Sequence, residues 1–307
     1  VGGSGLLGSN FALEARKRGP VAVTFFQHPV KFRGCMSFRT QVSDQEQVQE
    51  TLNRVRPDWV LNATGCTDVD LCETNPDQAR EMNADVPRRL ALAAKAIGAG
   101  FVHISTDAVF DGRSGGYTEQ DKPAPINEYG ASKLLGEQMA LDANPAALVI
   151  RTNFFGWSNG LKPSYSEWLY RRITDGQPFP VFADVWFNGL LANTLAVLIR
   201  ESAERGARGL LHLGTSTPCS KLEFARALAE VFALDIDDRM RPVSVDDLGL
   251  KAARPHRINL NCSRAEQLLG RPMATLKNEL KRLRELRDLG YVEELRSSVA
   301  NSAASRG

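Results

Sequence analysis

Short apolar, β-branched runs alternate with longer helical stretches through the first two thirds of the chain, and few architectures accept that alternation. Val21 to Phe26, Trp59 to Ala63, Phe101 to Ser105, Leu148 to Arg151 and Leu210 to Leu213 read as buried strands. Gln45 to Arg56, Asp85 to Ile97 and Tyr129 to Leu141 read as helices long enough to cross back over a sheet. Parallel neighbours need such crossovers. The expected fold is therefore α/β, a doubly wound parallel Rossmann sheet with helices on both faces and a second, smaller, mostly helical substrate domain.

After Arg151 the rhythm loosens into Gly-, Pro- and aromatic-rich segments. Residues 1–152 are expected to form a dinucleotide-binding domain to which 188–214 returns, 153–187 and 215–290 a substrate domain, and 291–307 a tail. The 307 residues leave room for both. With 38 basic against 36 acidic side chains, the net charge of +2 argues against a nucleic-acid or anionic-membrane partner. No apolar run approaches the roughly 18 residues of a membrane span, and the first residues lack the basic-then-apolar pattern of a secretion signal. A cytoplasmic location is expected. The 5 cysteines show no C-x-x-C pair, so reduced thiols are expected, and no His/Asp/Glu cluster has metal-ligand spacing.

Gly2, Gly5 and Gly8 form a G-x-x-G-x-x-G spacing ahead of a helical Ser9 to Arg18. Glycines let backbone approach a pyrophosphate, and a helix N-terminus offers unpaired N–H groups. Such glycines also shape tight turns with no ligand; the strand that follows at Val21 favours binding. This loop normally follows the central strand of its sheet, for which no residue precedes Val1, so the sequence is expected to begin inside a longer chain. After the run ending at Phe26 no acid occurs before Asp44 to accept from an NAD ribose, while Lys31 and Arg33 suit a 2′-phosphate, unless they are simply solvated. The expected cofactor is NADP(H), with NAD(H) the alternative.

Tyr129 and Lys133, four apart in Tyr129-Gly130-Ala131-Ser132-Lys133, share one helix face. An ammonium beside a phenol lowers its pKa, and a phenol so tuned gives a proton to a carbonyl oxygen as hydride arrives at carbon. Thr106, in Ser105-Thr106-Asp107, stands at a strand end, where doubly wound sheets hold ligands. The plainer readings are a packed Tyr129 with a satisfied hydroxyl and a turn-forming Thr106. His103 and His212 read as core histidines.

On these segments, with Asn62 to Asp70, Glu73, Asn83-Ala84-Asp85, Ser105 to Gly112 and Arg254-Pro255 through Ser263, the chain resembles an extended short-chain dehydrogenase/reductase, and within that group the dTDP-4-dehydrorhamnose reductase family. The resemblance implies reduction of the 4-keto group of a nucleotide-linked 6-deoxy sugar, with Thr106, Tyr129 and Lys133 as the catalytic set. Lys133 would also hold the cofactor, beside Gly2, Gly5, Leu6, Leu7, Gly8, Ala63 and Thr64. The family's Tyr after S-T-D is Ala108 here, which leaves the particular sugar open. A nucleotide-sugar epimerase or dehydratase is the alternative enzyme. A binding subunit like the regulatory beta subunit of methionine adenosyltransferase is the alternative without catalysis.

The sugar site is expected beyond the strand ends, between sheet and smaller domain. Thr106 and Tyr129 would meet the keto oxygen, Asn153, Phe154 and Asn188 the sugar and base, and Arg254 the pyrophosphate unless it is a surface ion pair. Leu276, Leu280, Leu283 and Leu286 line one face of a charged helix that covers the surface or forms an oligomer contact, a homodimer being the assembly to test.

Overall fold

The structure is a computed structural model and describes residues 1–236 and 239–299. Its strands are β1 (Val21–Phe25), β2 (Cys35–Arg39), β3 (Trp59–Asn62), β4 (Gly100–Thr106), β5 (Leu148–Thr152), β6 (Phe154–Phe155), β7 (Phe179–Phe182), β8 (Trp186–Phe187), β9 (Leu190–Leu191), β10 (Gly209–Leu213), β11 (Cys219–Ser220) and β12 (Met240–Val243). The main parallel sheet runs β10-β5-β4-β3, and β1 and β2 form a second parallel pair. Residues 1–3 lie between them: the Val1 amine donates to Leu61 O, Val1 O accepts from Ala63 N, and Gly3 N donates to Thr24 O. Phe101, Val102 and Ile104 of β4 and Leu148, Val149 and Ile150 of β5 are buried because both faces of the sheet are covered.

The helices are α1 (Leu6–Ala15), α2 (Gln45–Val55), α3 (Val69–Thr74), α4 (Pro76–Arg80), α5 (Val86–Ala96), α6 (Glu128–Ala143), α7 (Tyr165–Thr174), α8 (Ala192–Glu204), α9 (Lys221–Phe232), α10 (Ser263–Leu269), α11 (Leu276–Asp288) and α12 (Tyr291–Ser297). Helices α2, α5 and α6 bury Val48, Leu52, Leu90 and Ala140 with Val60 and Phe101 of the sheet. Leu7 of α1 and Leu195 of α8 pack with Val102 and Ile150 in a separate cluster. The short ladders β6·β9, β8·β11 and β7·β12 lie over a third core shared by α7, α9, α11 and α12.

Two expectations are corrected. The face of α11 is not free for a second copy: Leu280, Leu283 and Leu286 are buried in this third core, with Leu276 packed against it. Residues 291–299 are not a tail. Tyr291, Val292 and Leu295 of α12 are buried, the Tyr291 hydroxyl donates to Asn10 Oδ1 at 2.9 Å, and Val299 bridges to Val30. The rest of that call, residues 300–307, lies outside the described residues. Among the described residues, no helix is long and apolar enough to cross a membrane.

Helix α6 sits unusually close to its neighbour. Residues 81–85 form a single π turn, and a Cβ on Gly136 would stand 1.9 Å from the Asn83 carbonyl oxygen. Only hydrogen fits there. Gly136→Ala is expected to cost about 1–3 kcal/mol by forcing the two backbones apart. Gly19→Ala, where a Cβ meets nothing within 4 Å, should stay within about 0.5 kcal/mol of wild type. Urea unfolding of both variants checks this, and equal losses would contradict it.

Candidate active site

Strand β4 ends at Thr106, and Asp107–Val109 turn at once into a 3-10 segment capped by the Thr106 side chain, which accepts from Ala108 N at 3.2 Å. Asn127 caps α6 by accepting from Gly130 N, and its amide donates to Ala253 O. A Cβ on Gly130 would lie 2.3 Å from Ala108 O, so the glycine of the Tyr-Gly-Ala-Ser-Lys run lets the helix start press against the strand end. Tyr129 and Lys133, one turn apart, therefore face Thr106.

A cleft of about 470 Å³ opens there. Its walls include Ser4, Gly5, Leu6 and Leu7 of the glycine loop, Ala63 and Thr64 after β3, Thr106, Tyr129, Lys133, Asn153, Phe154 and Tyr165. Gly2 and Gly8 are absent from that lining and shape the loop instead. Gly2 takes φ +84°, and a Cβ on Gly8 would lie 2.1 Å from Gly2 O. The first turn of α1 has no side-chain cap at Gly5, so its N–H groups face the cleft without a side-chain acceptor, which suits a cofactor phosphate.

The electrostatics differ from the sequence expectation at one point. Lys133 is buried, and its Nζ donates to Ile104 O at 2.6 Å; burial lowers its pKa from 10.5 to about 8. The Tyr129 phenol is not pulled toward neutrality. Burial pushes it from 10.0 up to about 12, and a hydrogen bond with Thr106 only partly opposes this. Thr106 Oγ1 in turn donates to Asp107 Oδ1 at 3.0 Å, and Asn153 Nδ2 donates to Asp107 Oδ2 at 2.9 Å. A chain of polar groups thus runs from the phenol to a buried carboxyl that sequence reasoning left without a role. Burial raises Asp107 from 3.8 to about 6.

Four further candidates lie elsewhere. Asn188 is buried and fully engaged: Nδ2 donates to Thr215 O and Leu260 O, and Oδ1 accepts from Leu260 N. It ties three chain segments together. Arg254 does not line the cleft; it pairs with Asp70 at 3.0 Å and donates to Ala252 O, which is the ion-pair reading. Lys31 and Arg33 lie in the crossover leading back to the start of β2. Lys31 N is bound to Ser298 O, and Arg33 O accepts from Arg16 at the C-terminal end of α1, so Arg33 stands at the sheet edge opposite the strand ends. The basic residue at the correct edge is Arg39, the last of β2, paired with Phe25 and 5.3 Å from the centre of the exposed Phe26 ring. It escaped notice because β2 was not recognised.

His103 and His212 are buried, and desolvation lowers both. Among the described residues no group of three or more His, Cys, Asp or Glu could hold a metal. All 5 cysteines are thiols, with Cys66 and Cys72 Sγ 3.3 Å apart.

The model of the RmlD substrate binding domain matches residues 1–287. A probable low-salt glycan biosynthesis reductase, Agl14, of Haloferax volcanii is 33% identical over 287 residues, 92% of this chain and 95% of that protein. Methionine adenosyltransferase 2 subunit beta of Rattus norvegicus is 30% identical over 233 residues, 73% and 69% of the two chains. Among solved structures, dTDP-4-dehydrorhamnose reductase from Bacillus anthracis in complex with NADP superposes with a TM-score of 0.81 at 27% identity, covering 92% of this chain and 96% of that one.

The Asp107 carboxyl gives a pH test. Its folded pKa is raised, so between about pH 4 and 6 the folded state holds a proton that the unfolded chain has released. Stability from this group falls as pH rises through that window and stays lost above it. Relative to Asp107→Asn, wild-type stability should fall by up to about 3 kcal/mol from pH 4 to pH 7. Urea unfolding of both proteins at several pH values measures the difference; a flat difference would contradict the burial argument.

Proposed function

Since the chain belongs to the RmlD substrate binding domain family, we propose that it reduces the 4-keto group of a nucleotide-linked 6-deoxy sugar with NADPH. It is an NAD(P)-dependent oxidoreductase of the dTDP-4-dehydrorhamnose reductase type. The observation that carries the finer reading is the convergence of Thr106, Tyr129 and Lys133 on one cleft, whose other wall is the first turn of α1. NADPH supplies the hydride. Gly5, Leu6 and Leu7 would meet its phosphates, with Ala63 and Thr64 beside them, and Lys133 its nicotinamide ribose. Thr106 and Tyr129 grip the keto oxygen, and Tyr129 releases its proton to that oxygen as negative charge develops there. The high pKa of Tyr129 keeps it protonated until that moment. Asn153 and Phe154 line the sugar end.

Tyr129→Phe keeps the ring and removes the proton, so turnover should fall about 10²- to 10⁴-fold with NADPH affinity unchanged. The assay is NADPH oxidation against a panel of nucleotide-linked 4-keto sugars. Near-normal turnover would remove Tyr129 from its role. Steady turnover by the wild type also separates this reading from a binding subunit.

The NADPH preference rests on Arg39 rather than Lys31 or Arg33. A charge-assisted hydrogen bond from its guanidinium to the 2′-phosphate contributes roughly 1.5–3 kcal/mol, a tenfold or greater preference over NADH. Arg39→Ala should abolish most of that preference while Lys31→Ala and Arg33→Ala leave it. Comparing kcat/KM for the two cofactors tests this, and a preference surviving in Arg39→Ala would refute it.

A further inference from the structure

Lys221 is a cation whose placement nothing in the reaction above uses. It is the first residue of α9, set there by the capping box in which Ser220 and Glu223 satisfy each other's backbone. Its Nζ lies 3.5 Å from the ring centre of Phe187 and 4.3 Å from that of Tyr165, and Tyr165 lines the cleft. Its charge acts on Asp107, the residue bonded to both Thr106 and Asn153. Among the described residues, no hydrogen bond and no ion pair within 4 Å reaches this ammonium. Lys221 is half-buried, so its head group loses part of its hydration, and two aromatic faces with one nearby carboxylate offset only part of that cost. An apolar side chain would fill the same space without it. Burial accordingly pulls the lysine from 10.5 down to about 8.

We propose that Lys221 is a specificity-determining residue that donates a hydrogen bond to the C3 hydroxyl oxygen of the sugar, beside its keto carbon. The assignment rests on the reductase reading and deepens it. Thr106 and Tyr129 fix where the keto oxygen sits, and the charge of Lys221 reaches Asp107, the next residue along. In a 4-keto-6-deoxy hexose the keto carbon has two neighbours, C3 with its hydroxyl and C5 with its methyl. C5 also carries the ring oxygen, but that ether oxygen is the poorer acceptor, and the C3 hydroxyl is the better partner for an ammonium. The Asp107 carboxylate makes the pocket nearly neutral as a whole, which suits a hydroxyl and disfavours a diphosphate. The ring of Tyr165, which lines the cleft, supplies a flat apolar wall for the C–H face of a pyranose, with Phe187 buried behind the ammonium.

The test uses dTDP-4-keto-6-deoxyglucose and its 3-deoxy counterpart as substrates, with calorimetric binding of dTDP-6-deoxyhexose product as a readout independent of turnover. Lys221→Met should raise KM for the hydroxylated sugar about 10- to 100-fold and weaken product binding similarly, with kcat changed less than about threefold and NADPH affinity unchanged. The 3-deoxy substrate should show almost no difference between wild type and variant. Lys221→Arg should restore part of the loss, because the charge and donors return, and its circular dichroism and thermal midpoint report folding. An unchanged KM in Lys221→Met, or an equal loss on the 3-deoxy sugar, overturns the assignment while the reductase reading stands. A wild type that neither turns over nor binds any of these nucleotide sugars overturns both.

Discussion

Glu137 and Arg151 meet between α6 and β5 with side chains only 3% and 2% exposed, and the placement of the α6 face that lines the cleft follows from that contact. Arg151 grips the carboxylate through Nε and Nη2 at 2.7–3.1 Å, Ser105 Oγ adds a hydrogen bond at 2.5 Å, and the guanidinium lies 5.1 Å from the centre of the Phe110 ring. Two charges so deep lose most of their hydration, and their attraction does little more than offset the loss; removing one partner would strand the other at about 3–5 kcal/mol. What the pair confers is position. It locks one turn of α6 to the residue before Thr106 and to β5, so that Lys133, one turn earlier on the same helix, and Tyr129, two turns earlier, reach the strand end.

A second set of polar ties joins the pieces around the cleft. Asn159 donates to Ser4 O of the glycine loop, Asn10 to Trp157 O, Asn193 to Glu14, and Asn188 to two segments from the far side of the chain. Side-chain amides suit this work because each carries donors and an acceptor and can close on backbone groups that would otherwise be buried unpaired. The glycine-loop wall of the cleft and the segments packed around it are held in one frame by these side chains.

Much of this was legible in the sequence. The apolar runs marked β1, β3, β4, β5 and β10 to within a residue or two, because strands covered on both faces are mostly apolar. The spacing of Thr106, Tyr129 and Lys133 showed what would face the cleft. Sequence reasoning failed where the answer depended on direction through space. The Cys35–Arg39 strand is half exposed, so it carries no apolar run, and without it Lys31 and Arg33 looked nearer the strand ends than Arg39. Asn188 and Arg254 have the polarity of ligand contacts, yet backbone carbonyls and Asp70 consume it. Lys221 was hidden by its own setting, since a Ser-Lys-Leu-Glu run reads as an ordinary helix start.

The glycines of α6 bear on how such a chain can be remodelled. Gly130 and Gly136 each face a carbonyl oxygen at a distance that leaves no room for a methyl, so neither position on this side of the cleft can be diversified without moving the helix. The other walls differ: Phe154 lines the cleft from a two-residue ladder, and Tyr165 lines it from the start of α7. A combinatorial library at Phe154 and Tyr165 would vary the cleft wall while leaving the α6 contacts in place, whereas any side chain at Gly130 or Gly136 would first have to push two backbones apart.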